Sequence, residues 1–146
     1  MNVNEAPIMV EQVIRRHAEI VWDAITDINQ MRQWYFVNIP AFEPEVGFET
    51  RFDVQSQSRI FRHIWNITKV VPGKLITYNW KYDGIPGDSF VSFELFKQDS
   101  STLLRLTHVV LESFPDDISE FSRESGLQGW TFFIKERLRN FLEKDI

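Results

Sequence analysis

The sequence predicts an α+β fold, a curved antiparallel sheet of about six strands wrapped around a long C-terminal helix, with two short helices after the first strand. Three features of the hydropathy pattern carry this. Apolar residues follow a helical period just after a short β-branched opening. The period falls to two between Phe48 and Val110, and a helical stripe closes the chain. Strands joined by turns this short must be antiparallel, because a parallel crossover needs about a dozen residues or more.

Taken in order, Ile8–Arg15 (IMVEQVIR) is short, partly alternating and β-branched, and reads as a strand. Over Ala18–Ile28, the residues Val21, Ala24, Ile25 and Ile28 make one apolar helical face. Asp27 and Gln30 have the spacing of an N-cap and its N3 partner, which opens a second short helix through Trp34. Pro40 and Pro44 bracket an extended link. Phe48–Val54 sets Phe48, Thr50, Phe52 and Val54 against Glu49, Arg51 and Asp53. Ile60–Val71 stops at Pro72-Gly73, a turn signal. Leu75–Tyr82 puts Ile76, Tyr78, Trp80 and Tyr82 on one face, and Ser89–Phe96 does the same for Val91, Phe93 and Leu95. Thr102–Leu111 follows the turn at Asp99-Ser100-Ser101.

Asp117 with Glu120 resembles a helix start. Leu127, Trp130, Ile134, Leu138 and Phe141 then form a stripe flanked by Phe133 and Leu142, opposite Lys135, Glu136, Arg137, Arg139 and Glu143. Gly126 and Gly129 are two points where the sheet or a ligand could approach the helix backbone closely; a kink or a helix start at Gly126 is the alternative. The sheet is the surface on which such a helix lies, and a sheet curved around a helix leaves a hollow between them.

Composition narrows the functions. A chain of 146 residues, 43% apolar, is expected to form one domain over residues 1–146 with a real core. Its net charge of −5 disfavours nucleic acid as a partner. With no cysteine there is no disulfide, thiolate metal site or cysteine nucleophile, which fits a reducing compartment. No apolar run approaches the ~18 residues of a membrane span, and MNVNEAP lacks the apolar core of a signal peptide, so the expected location is the cytoplasm. No phosphate loop, G-x-G-x-x-G or G-x-S-x-G motif occurs, and His17, His63 and His108 make no H-E-x-x-H pattern. No cofactor, metal or catalytic residue is therefore assigned, and Asp88, Glu94 and Glu112 fall at rims or on the outer face.

Aromatic residues make up 14% of the chain, and each such ring buries on the order of 150–250 Å². Trp34, Phe52, Trp65, Trp80, Phe93, Trp130 and Phe133 come from every expected element, and parity or helical phase aims most of them at one interior. Some must be plain packing. His63 shares a face with Trp65, and His108 with Leu104 and Leu106. With Tyr78, these imidazoles are candidate polar anchors of an aromatic-lined pocket. A satisfied core histidine is the competing reading for each. Arg59 shares the face of Phe61 and His63 and could meet an anionic head group.

Several stretches resemble the START-like, or SRPBCC, helix-grip superfamily. They are Ala18-Glu19-Ile20-Val21-Trp22-Asp23-Ala24-Ile25-Thr26-Asp27, Trp34, Val46-Gly47-Phe48, Val70-Val71-Pro72-Gly73-Lys74-Leu75 with Trp80, Thr102-Leu103-Leu104-Arg105-Leu106-Thr107-His108, and Gly129-Trp130. Their order along the chain is the specific part. The branch they look most like is the homologues of the heat-shock-protein-90 ATPase activator, although Trp34-Tyr35-Phe36 is more aromatic than usual there. The resemblance implies the helix-grip fold and, often, a hydrophobic pocket between helix and sheet. The superfamily spans lipid carriers, cyclases, receptors and co-chaperone domains, so fold alone does not name one function. The expectation drawn is a small hydrophobic or aromatic ligand held in that pocket. The alternatives are a chaperone-regulating interaction domain and a cyclase- or hydrolase-like enzyme using the same hollow. A chaperone or a second copy of the chain, paired through an exposed edge strand, is the protein partner these readings allow.

Overall fold

The computed structural model describes residues 1–146. Its elements are β1 (Ile8–Ile14), α1 (Ala18–Thr26), α2 (Ile28–Trp34), β2 (Glu49–Ser56), β3 (Arg59–Val71), β4 (Leu75–Tyr82), β5 (Asp88–Lys97) and β6 (Thr102–Glu112). A C-terminal helix follows, made of α3 (Arg123–Thr131), a π-helical stretch (Phe132–Leu138) and α4 (Arg139–Glu143). The six strands form one antiparallel sheet in the order β1-β6-β5-β4-β3-β2, as the short connections require. The sheet grips the C-terminal helix, which makes this a helix-grip α+β fold.

Local chemistry explains the boundaries. The Asp27 carboxylate accepts from the Gln30 N–H at 3.2 Å, so the expected cap does start α2. The helix start expected at Asp117 is not made there. A short 3₁₀ turn occupies Ser119–Phe121, and α3 begins after Ser122, whose hydroxyl accepts from the Ser125 N–H at 3.1 Å. Gly126 lies inside α3, where an added Cβ would stand 2.9 Å from Ile8 Cδ1, so its missing side chain lets β1 close on the helix. Around Gly129 there is open space, and no close approach is made.

The edges of the sheet differ. Along β1 the C-terminal helix reaches over the open carbonyls. Lys135 Nζ donates to the Glu11 carbonyl at 2.7 Å, and Arg123 donates to those of Ala6 and Pro7. On β2, Asn38 alone reaches across, to the Asp53 carbonyl at 2.6 Å.

A small second core of Phe61, Phe114 and Phe121 closes one end of the barrel-like grip. Gly87, at φ +121°, faces it so closely that a Cβ would lie 2.3 Å from Phe114 Cδ1. Gly87→Ala combines a disfavoured backbone with overpacking and is expected to cost about 2–3 kcal/mol, read from the urea midpoint. An unchanged midpoint would mean that Phe114 yields without loss.

Candidate functional site

Period two places the inward side chains. Phe52 on β2, His63 and Trp65 on β3, Tyr78 and Trp80 on β4, Phe93 on β5 and His108 on β6 are all buried on the concave face. Trp34 comes to them from α2 and Trp130 from α3, both buried, while Phe133 enters half-buried from the π stretch. Arg59 has the right parity but the wrong end of the strand. It lies past the core, 48% exposed, and pairs with Glu120 at 3.1 Å. The structure therefore brings together every sequence-picked site residue except Arg59.

The hollow expected among them is filled by two residues that periodicity did not single out. Tyr35 ends α2 with φ −105° and ψ −102°, which turns the chain out of the helix and its ring into the interior. That ring stacks on Trp34 at 4.4 Å, lies 5.2 Å from Trp65 and meets the Phe133 edge at 5.1 Å. Its hydroxyl shares a hydrogen bond with that of Tyr78 at 2.9 Å. Phe36, half-buried, packs beside Tyr35, 5.2 Å from Phe52, 5.5 Å from His63 and 5.1 Å from Phe133. The largest surface depression, about 770 Å³, is elsewhere, on the outer face of the sheet beside Leu75, Phe90, Val109 and Leu111.

The polar groups of the interior divide into used and unused. Trp130 Nε1 donates to His108 Nδ1 at 3.0 Å, which leaves Nε2–H of that ring to donate to the Ser89 hydroxyl at 2.8 Å. Ser89 in turn donates to the Trp80 carbonyl at 2.6 Å. This chain of bonds fixes the His108 tautomer and ties helix, β6, β5 and β4 together, so His108 is a satisfied core residue and not a free anchor. His63 Nδ1 lies 3.1 Å from the Phe61 carbonyl, which makes Nδ1 the donor and leaves Nε2 as an acceptor. Burial pushes both imidazoles down to about 4, so both are neutral near pH 7. Burial likewise raises the Tyr35 and Tyr78 hydroxyls and lifts Tyr82 to about 12. The interior is thus one of neutral rings, with the Met1 ammonium near enough to His108 to add to the lowering of its pKa. No group of His, Asp and Glu side chains stands close enough together to hold a metal ion.

A gripped C-terminal helix over a six-stranded antiparallel sheet with an aromatic interior defines an SRPBCC-type domain. Residues 15–143 match the family described as activator of Hsp90 ATPase homolog 1-like protein, and the chain belongs to that family. Among solved structures, a protein of Chromobacterium violaceum, CV1439, is 21% identical over 95% of this chain and 98% of its own, with a TM-score of 0.79. The Aha1 dimer of Colwellia psychrerythraea is 21% identical over 95% and 97%, with a TM-score of 0.72. DynU16, of the dynemicin biosynthetic locus, is 22% identical over 95% of this chain but 48% of its own, with a TM-score of 0.75. At these identities the likeness establishes the fold. No curated protein matches the sequence significantly. No helix is long and apolar enough to cross a membrane.

Proposed function

We propose that the protein binds a small hydrophobic, aromatic ligand between the C-terminal helix and the sheet, in the seat that Phe36 occupies. The observation that supports this is the placement of Phe36. It belongs to the link after α2, is only half-buried, and packs on Phe52, His63, Trp65, Trp80 and Phe133, which come from the sheet and the helix. A ring on the link can leave this seat without unzipping a strand, and a flat apolar guest meets the same faces. The interior tryptophans would report its arrival.

The test uses naphthalene as probe. It is expected to quench tryptophan fluorescence and raise the Tm, and Phe36→Ala, which vacates the seat, is expected to bind it about 10-fold tighter. No quenching and no Tm shift in either protein would overturn the proposal. The depression on the outer sheet face favours the second reading, a chaperone-regulating surface. Under that reading a chaperone would be retained by the wild type and lost on Phe90→Asp, with naphthalene without effect.

A further inference from the structure

Trp34, Trp80 and Trp130 each place the indole N–H on an acceptor: the Ala24 carbonyl at 2.7 Å, the Tyr82 hydroxyl at 2.8 Å and His108 Nδ1 at 3.0 Å. Trp65 does not. Its ring is 1% exposed, and Nε1 has no partner. Thr50, 5% exposed, is its direct cross-strand neighbour in the β2–β3 register, and its hydroxyl is also without a partner. These two are the only buried side-chain polar atoms left unbonded, and they belong to directly paired residues on the concave face. Leaving such groups dry is unfavourable, and a native core normally avoids it.

An indole N–H can only donate, and a hydroxyl next to it can donate as well. Trp65 Nε1 therefore calls for an acceptor, which the Thr50 hydroxyl does not supply where it stands, and the Trp65 ring lies 6.0 Å from Phe36 and 5.2 Å from Tyr35, the two residues that fill the seat. We infer that the ligand of this seat carries a hydrogen-bond acceptor, a carbonyl or ether oxygen on an aromatic frame, received by Trp65 Nε1 and Thr50 Oγ1. This rests on the ligand-binding reading above and adds the polar end of the molecule. Sites built around a buried donor discriminate strongly against analogues that lack the acceptor, because the donor is then left unpaired.

The experiment compares 2-acetylnaphthalene with 2-isopropenylnaphthalene, which has the same shape but no carbonyl oxygen. The wild type is expected to bind the ketone at least about 10-fold tighter, by tryptophan quenching. The isosteric Thr50→Val is expected to reduce that ratio while keeping the hydrocarbon affinity, and Trp65→Phe is expected to reduce the ratio while also weakening both probes, since its ring is one wall of the seat. Thr50→Val should also raise the Tm of the free protein, since it removes an unbonded polar atom from the core. Equal binding of the two probes by the wild type would overturn the acceptor inference and leave the ligand-binding reading standing. A ratio unchanged in both variants, or a Tm lowered by Thr50→Val, would overturn it too. Binding of neither probe would bring down both.

Discussion

Tyr35→Ala is expected to destabilise the protein by about 4 kcal/mol or more. Emptying a packed aromatic position costs about 3–5 kcal/mol. The lost hydroxyl also leaves that of Tyr78, 1% exposed, without its 2.9 Å partner. Against a typical total stability of about 5–15 kcal/mol, this brings the chain close to unfolding at 25 °C. Tyr35→Phe separates the two contributions and is expected to cost about 1–2 kcal/mol, the hydroxyl part alone. Urea unfolding measures both. The cavity left by alanine would be walled by the rings of Trp34, Trp65 and Phe133 with the Tyr78 hydroxyl at one end, so benzene or, better, phenol should recover part of the loss as its concentration rises. A loss below about 1 kcal/mol for Tyr35→Ala would show that the ring is not an integral part of the core.

Acid is expected to weaken the fold from pH 6.5 down to 4, starting well above the range in which carboxylates protonate. His63 and His108 titrate at about 4 when folded, against 6.5 for a free imidazole. Below pH 6.5 the unfolded chain therefore takes up protons that the folded chain refuses, and stability falls as pH falls. The contribution is fully present above pH 6.5 and gone near pH 4. Each histidine accounts for up to about 3 kcal/mol at 1.36 kcal/mol per pH unit. The Asp53 and Glu120 carboxylates, held below their ordinary value by their hydrogen bonds, add their own losses at lower pH. Urea midpoints from pH 7 to 4 are expected to fall steadily in the wild type, and His63→Phe should remove about half of that slope. A flat profile would mean that the imidazoles charge inside the fold without cost.

The inward face of the sheet was legible in the sequence because strand side chains alternate with a period of two. Once Trp65 faces inward, His63 and Ile67 must follow, and the same rule orders Tyr78 with Trp80 and Leu106 with His108. The rule knows direction but not depth, which is why Arg59 has the right face and still lies outside. Tyr35 and Phe36 sit where the chain leaves a helix and obeys neither period, so their inward turn was hidden. The one clue was a run of three aromatic residues, Trp34-Tyr35-Phe36, with no element assigned to its last two.

The π-helical stretch was hidden for a related reason. The buried residues of the C-terminal helix are Trp130, Ile134, Leu138 and Leu142, one every fourth position. An α-helix turns 40° too far over each such step, so three steps would carry Leu142 away from the core. Widening the turn over Phe132–Leu138 keeps all of them facing the sheet. A strict four-residue repeat is the signal for that widening, but any one of its steps looks like an ordinary helix.

The unequal sheet margins bear on assembly. Where Lys135 and Arg123 occupy the Glu11, Ala6 and Pro7 carbonyls, another strand would have to displace them to pair along the whole margin. At the opposite margin Asn38 would have to release one carbonyl, and the rest of the strand is uncovered by side chains. A chain with a single usable margin can join one copy of itself by two-fold symmetry and then has nothing left to offer. Pairing through that margin would therefore favour a closed pair over the open-ended stacking that leads to fibres.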